Sequence, residues 1–196
     1  MITNPLVCLV ILAGGQSSRM GTDKAVIKLG GERLIDILIN RFANKVDRLF
    51  LSASKSYGTG LDIISDDPAF PDGPVGGIFS AAAALQKLQP AISGFVTIPV
   101  DAPHAPADLV GRLMASGSCA VAQDQLRIQP AFAYWQCDVV DNIRADYGQA
   151  DKAPSLRWLA AKADAVAVTW PDDRLFLNIN RPQDLIHAEH GKTAGA

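Results

Sequence analysis

The stretch Val7-Cys8-Leu9-Val10-Ile11-Leu12-Ala13-Gly14-Gly15-Gln16-Ser17-Ser18-Arg19-Met20-Gly21-Thr22-Asp23-Lys24-Ala25 decides the fold. Its first six residues form an unbroken apolar run, as in a strand buried on both faces. After Leu12 large side chains give way abruptly to small ones. Gly14, Gly15 and Gly21 permit positive φ and let another molecule approach the main chain closely. Backbone N–H groups on such a loop can point at phosphate oxygens. Arg19 offers a planar fork of donors and Lys24 a compact point charge. Flexible backbone donors followed by cations are what a bound triphosphate requires. A glycine turn with no further role would leave the two cations and the small hydroxyl residues without a packing purpose. The loop is not a Walker A motif, because five residues separate Gly15 from Gly21 and no Gly-Lys-Ser/Thr follows. It also lacks the Gly-x-Gly-x-x-Gly fingerprint, which disfavours a nicotinamide-dependent oxidoreductase.

Outward from this loop, strand-like and helix-like patterns alternate. Leu34, Ile37, Leu38 and Phe42 recur at helical period and predict a helix from about Arg33 to Asn44. Arg48–Ala53 and Asp62–Ile64 read as the second and third strands, the latter ending at Ser65-Asp66-Asp67-Pro68. A loop to Gly73 precedes an alanine-rich helix from Gly77 to about Lys87. Phe95–Ile98 is a buried strand, ending in Pro99-Val100-Asp101. A helix from about Pro106 to Met114, strands at Ala120–Ala122 and Ala131–Trp135, and short helices at Asp138–Arg144 and Ser155–Lys162 follow. Ala165–Trp170 reads as a late strand, Asn178-Ile179-Asn180 as an extended pair of amides on one face, and Pro182 to about Ala188 as a last helix. The tail from about residue 190 is expected to fray. Alternation of this kind implies a single α/β domain over residues 1–196 with a mostly parallel sheet. Such sheets take ligands at the carboxyl ends of their strands, where the glycine loop, Asp66 and Asp101 all fall.

Composition narrows the class. With 48% hydrophobic and 19% charged residues, the 196-residue chain is globular and long enough to bury a core. A formal net charge of -2 argues against a nucleic-acid coat. The cysteines Cys8, Cys119 and Cys137 are odd in number and widely spaced, so neither a disulfide framework nor a zinc knuckle is implied, and Cys8 reads as core. No apolar run reaches membrane-spanning length and no signal-peptide pattern opens the chain, so a reduced cytoplasmic setting is expected. Trp135, Trp158 and Trp170 read as core. His104 either lines a cleft near Asp101 or lies on the surface, and His187 and His190 fall near the tail.

Asp101, stiffened by Pro99 and Pro103, suits either a hard cation such as magnesium or a turn before the next helix. Asp66 and Asp67 are either ligand contacts or loop solvation. Asn178 and Asn180 are either ligand contacts or turn residues before Pro182.

Leu12–Ala25 resembles the Leu-Ala-Gly-Gly-x-Ser-x-Arg-Met-Gly-x-Asp-Lys signature of nucleotidyltransferases, and among these the molybdenum cofactor guanylyltransferase family. Gly73-Pro74-Val75-Gly76-Gly77, Pro99-Val100-Asp101-Ala102-Pro103 and Asn178-Ile179-Asn180-Arg181-Pro182 extend the resemblance in the family's order. It implies a three-layer α/β/α, Rossmann-like nucleotidyltransferase fold. It implies transfer of GMP from GTP to molybdenum-loaded molybdopterin, with Mg2+ bound at Asp101 and pyrophosphate released. Arg19, Lys24 and Asp101 would carry the catalysis. Leu12, Ala13, Gly14, Gly15, Lys24, Ser52, Asp66, Gly73 and Asp101 would hold the nucleotide, although Ser52 stands where the family often has Asn. Asn180, Lys152 and Arg157 are the acceptor-side candidates, and Trp158 beside Arg157 could edge a pterin pocket. Transient contact with molybdenum-insertion proteins or apo-molybdoenzymes is implied by analogy. A CTP-using relative, a different phosphorylated acceptor or a non-catalytic GTP-binding protein would share the same loop.

Overall fold

The computed structural model describes residues 6–14, 23–147, 153–180 and 184–185. In chain order these form β1 (Cys8–Leu12), β2 (Lys28–Leu29), β3 (Glu32–Arg33), α1 (Leu34–Phe42), β4 (Arg48–Ser52), β5 (Asp62–Ile64) and α2 (Pro74–Leu88). Then come β6 (Gly94–Pro99), α3 (Leu109–Met114), β7 (Ala120–Gln123), β8 (Ile128–Gln136), α4 (Cys137–Tyr147), α5 (Leu156–Lys162) and β9 (Val166–Thr169). Short 3₁₀ turns at Lys24–Val26 and Asp173–Phe176 complete the described chain.

Seven strands form one sheet in the order β5-β4-β1-β6-β8-β7-β9, and β2 and β3 form a separate small hairpin. The β1·β4, β1·β6, β4·β5 and β7·β9 ladders are parallel, whereas β8 runs antiparallel to both β6 and β7. The sheet is therefore mostly parallel, as expected.

Strand alternation divides the core between the two faces. Leu9, Ile11, Leu51, Val96 and Ile98 pack on one side with Ile35, Leu38 and Phe42 of α1 and Leu109 and Leu113 of α3. Cys8, Val10, Phe50, Phe95 and Trp135 pack on the other with Ile78, Phe79 and Leu85 of α2, Val140 of α4 and Leu159 of α5. This is the three-layer α/β/α arrangement.

Several boundaries differ from the sequence expectation. α2 begins at Pro74 rather than Gly77, so Gly76 and Gly77 lie inside its first turns. β8 is longer than Ala131–Trp135. Its Pro130 sits where the β7 ladder jumps from Val121↔Ala133 to Ala122↔Gln129, an irregularity that asks no ladder hydrogen bond of the proline. Asn178-Ile179-Asn180 is not a strand, although Ile179 is buried and the two asparagines flanking it are exposed. The expected Pro182–Ala188 helix lies outside the described residues except for Asp184 and Leu185, which are helical. No helix among the described residues is long and apolar enough to cross a membrane.

Candidate active site

The chain runs from β1 to β4 and β5 on one side, then returns to place β6 on the other side of β1. This reversal opens a crevice beyond the carboxyl ends of β1 and β6, the place where open α/β sheets bind ligands. Register fixes the crevice floor: Leu12 pairs with Ser52 on one side and Pro99 on the other. Ala13 N donates to Ser52 O at 2.9 Å, and Val100 N donates to Leu12 O at 3.0 Å. The Leu12 carbonyl and the Ala13 amide are thus occupied in continuing the sheet. Gly14 is the first residue beyond those two bonds.

Around Gly14 the β4 and β5 ends converge. A Cβ added to Gly14 would lie 3.7 Å from Ser52 O and 3.8 Å from Asp66 Oδ2. One added to Gly77 would lie 3.4 Å from Asp66 Oδ1 and 3.6 Å from Ser52 Oγ. Gly14, Ser52, Asp66 and Gly77 are therefore neighbours. The adjacent Asp67 is engaged differently, accepting from Ala69 N at 2.9 Å while its own N–H donates to Ser80 Oγ at 2.9 Å. Asp67 closes its own turn, and Asp66 faces the glycines. Gly73 precedes α2 at φ 94°, a conformation that favours glycine, with Pro74 as the helix's first residue. Nothing lies within 4 Å of a Cβ placed on Gly73, so its role here is conformational. Gly76 is a close approach: a Cβ there would lie 1.9 Å from Pro71 O.

At the β6 end the charged groups meet. Lys24 Nζ donates to Asp101 Oδ2 and to Asn180 Oδ1, each at 2.6 Å. The Ile179 N–H donates to Asp101 O at 2.7 Å, so the late segment crosses directly beside the end of β6. Asn180 N in turn donates to Asp184 Oδ2 at 2.8 Å. Asp101 is 8% exposed, and its Oδ1 is buried with no hydrogen-bond partner among the described residues. A buried carboxylate oxygen left without a donor is costly unless something cationic completes it.

Of the other expected site residues, Gly15, Arg19 and Lys152 lie outside the described residues. Arg157, on α5, donates to Ile128 O at 3.4 Å. Because β8 is antiparallel to β6, Ile128 starts β8 at the same sheet edge at which β6 ends. The neighbouring Trp158 is partly buried and packs edge-on against Tyr147, with centroids 5.5 Å apart. Trp135 and Trp170 are core, as expected.

Sequence reasoning gave no role to the group that holds Asp23. Asp23 Oδ1 accepts from Ala25 N at 3.1 Å and caps the 3₁₀ turn that begins at Lys24. Its Oδ2 accepts from the Tyr57 hydroxyl at 2.7 Å and pairs with Lys55 Nζ at 2.9 Å. Both partners sit in the connection between β4 and β5. The only local signal there was a tyrosine set among turn-forming residues.

A family model described as a MobA-like NTP transferase domain matches residues 9–176. A molybdenum cofactor guanylyltransferase of Cereibacter sphaeroides is 36% identical over 192 residues, covering 92% of this chain and 94% of that protein. The chain belongs to the molybdenum cofactor guanylyltransferase family. A further member, from Sinorhizobium fredii, is 33% identical with 92% and 89% covered. The fold of this guanylyltransferase-family chain recurs in the molybdopterin-guanine dinucleotide biosynthesis protein A of Archaeoglobus fulgidus (TM-score 0.70, 19% identity, 95% and 99% covered). It recurs also in the 4-diphosphocytidyl-2C-methyl-D-erythritol synthase of Anaerococcus prevotii (TM-score 0.73, 13% identity, 96% of each chain covered). The family is one of nucleotidyltransferases.

Proposed function

We propose that this protein transfers GMP from GTP to the terminal phosphate of molybdenum-loaded molybdopterin, forming molybdopterin guanine dinucleotide and releasing pyrophosphate. The observation that carries this reading is the meeting of Lys24 with Asp101 and Asn180 at the strand reversal. A phosphate oxygen of the acceptor attacks the α-phosphorus of GTP. The bond from that phosphorus to the β-phosphate oxygen breaks, and pyrophosphate leaves with the electron pair. No protein nucleophile is needed. The chain's task is to align two polyanions and offset their charge. Lys24 neutralises triphosphate oxygens, with Arg19 as the second cation from the same loop. Gly14, Gly15 and Gly73 keep the main chain open to the nucleotide, Leu12 and Ala13 seat the loop on the sheet, and Ser52 and Asp66 line the nucleotide side. Asn180, Lys152 and Arg157 are the residues assigned to the acceptor.

The donor set fits magnesium. Mg2+ is typically held by one or two carboxylates with waters and substrate phosphates rather than by an all-protein cage. Asp101 offers such a carboxylate, with one buried oxygen unpartnered, and no cluster of three or more His, Cys, Asp or Glu among the described residues competes for a metal. When bound, the ion supplies Lewis-acid charge to the triphosphate. A cytoplasmic setting, a single domain over residues 1–196, and brief contact with molybdenum-insertion proteins or apo-molybdoenzymes complete the reading.

The test is pyrophosphate release with magnesium and molybdate-loaded molybdopterin, comparing GTP, CTP and ATP. The expected result is release with GTP alone and a guanine dinucleotide product. Release with CTP would move the chain to cytidylyl transfer. GTP binding with no product from any acceptor would leave a binding protein and remove the transferase assignment.

A further inference from the structure

Lys24 has a long, rotatable side chain, and ordering such a chain costs rotamer entropy. Its ammonium nevertheless lies 2.6 Å from two acceptors on separate segments. Something must fix the main chain from which it starts. The 3₁₀ turn of Lys24–Val26 is only three residues long, and such turns have poorer hydrogen-bond geometry than α-helix. Left alone it is a weak platform.

The platform is braced from outside. Asp23, immediately before Lys24, accepts the Tyr57 hydroxyl from a position 34 residues away. Tyr57 is held in turn: its carbonyl accepts from Arg33 Nη1 at 2.7 Å, and Arg33 is fixed by Asp36 through Nε and Nη2 at 2.5 and 2.7 Å. Its ring packs against the core cluster on the α1 face and lies beneath Lys55 Nζ, 4.9 Å from the ring centroid. Tyr57 also adopts φ 52°, a region that side-chain-bearing residues other than Asn and Asp seldom occupy. Such backbone strain persists only where surrounding contacts determine it. Here those contacts deliver the hydroxyl to Asp23. From this geometry we infer that Tyr57 is a positioning residue for the nucleotidyl transfer, acting through Asp23 to hold Lys24 in the place where it meets the triphosphate.

Electrostatics keeps the brace in one protonation state. Burial works to raise the Asp23 carboxyl, but hydrogen bonds from Lys55, Tyr57 and the Ala25 N–H outweigh it and hold the group below its ordinary value. Burial, together with the carboxylate of Asp23, pushes the Tyr57 phenol up. At neutral pH Asp23 is therefore an acceptor and Tyr57 a donor. The simpler alternative is that Asp23 acts as a turn cap alone and Tyr57 as loop packing.

The inference rests on the proposed role of Lys24 at the triphosphate, and a double-mutant cycle separates the two. Equilibrium binding of the fluorescent probe mant-GTP with magnesium is measured for wild type, Tyr57→Phe, Lys24→Ala and the double variant, alongside thermal melting. Tyr57→Phe keeps the ring and removes one charge-assisted hydrogen bond, so binding should weaken about 5-fold or more. In the Lys24→Ala background the same change should add less than about 2-fold, because coupled residues are not additive. Asp23→Ser keeps a good cap but is too short to reach Tyr57, and should behave like Tyr57→Phe. Equal weakening by Tyr57→Phe in both backgrounds, no weakening at all, or wild-type binding by Asp23→Ser overturns the positioning role. Wild-type binding by Lys24→Ala overturns the reading of Lys24 and, with it, this inference.

Discussion

Lys24 and Asp101 form an ion pair whose members are 23% and 11% exposed at the side chain, shielded enough for removal of either to be felt. Lys24→Ala leaves Asp101 as an uncompensated carboxylate, and Asp101→Asn removes the negative charge, and one of the two oxygens, that the proposed metal needs. Each should lower turnover by about 100-fold or more, the scale seen when one preorganised charge-stabilising group is lost. Far-ultraviolet circular dichroism should stay unchanged, because both residues sit at the ends of elements and not within them. Turnover within a few-fold of wild type for either variant would remove that residue from the mechanism. At this scale the sequence was partly legible. Lys24 and Asp101 announced themselves by position, a cation in a glycine loop and a carboxylate between prolines after an apolar run. Asp66 and Asp67 were separated only by the family resemblance, which singled out Asp66; their own residue pattern is silent, because the two carboxylates differ only in where they aim, and the neighbours of Asp66, Gly14 and Gly77, lie on other elements. Tyr57 and Lys55 were silent because their partner, Asp23, is a tertiary neighbour across the β4–β5 connection.

Among the elements, α2 is the clearest case of tertiary context overriding local preference. Glycine costs about 1 kcal/mol relative to alanine inside a helix, so a reading by propensity starts α2 only at Gly77. The helix starts at Pro74, a residue suited to a first turn, and Gly76 stands inside it because Pro71 O lies there too closely for any side chain. Gly76→Ala should therefore destabilise the protein by about 1–3 kcal/mol, the cost of overpacking, despite alanine's better propensity. Gly111, in α3, is the control: nothing lies within 4 Å of an added Cβ, and Gly111→Ala should be neutral or stabilising by about 0.4–1 kcal/mol. Thermal melting of the two variants checks both signs, and a stable Gly76→Ala would mean that the Pro71 loop gives way. β8 follows the same logic. Pro130 argues locally against a long strand, and the irregularity opposite β7 removes the objection. The strands β1, β4 and β6 were legible to within a residue because their buried apolar runs leave so plain a signature, and the short edge strand β5 was legible from its Ile63-Ile64 pair and the turn residues after it, although Asp62 and Ile63 are exposed.

Across the whole molecule, all three cysteines are buried, Cys8 and Cys137 of them inside the core cluster on the α2 face. Cys8, Cys119 and Cys137 are each about 1% exposed. Burial pushes the Cys8 thiol up to about 11 and the Cys137 thiol up to about 12, and raises Cys119 as well. The thiolate is the reactive form, so these groups should be inert while the fold holds. A colorimetric thiol titration at mildly alkaline pH should detect no cysteine in the native protein and all three after denaturation. Ready reaction before denaturation would mean that the sheet's interior opens easily. The alternation of strand and helix and the three-layer arrangement were legible from the sequence because they follow from periodicity. The reversed direction of β8 was not, since periodicity carries no sign of strand direction.

That reversal has an evolutionary reading. On the β1 and β4 side, the crevice is bounded by strands that end and continue into loops, so each bounding residue is tied to a strand's register. On the β8 side the margin is a hairpin, closed at Asp124 by hydrogen bonds to Asp124 Oδ1 from Leu126 N and Arg127 N, with Leu126 at its exposed tip. A hairpin tip can lengthen or change its residues without shifting any ladder behind it. On the proposed reading, Leu12 and Ser52 on the nucleotide side are tied to strand register, whereas Leu126 at the hairpin tip is tied only to its own turn. A lineage built on this scaffold can thus rewrite that turn and leave the strand register behind the nucleotide side intact.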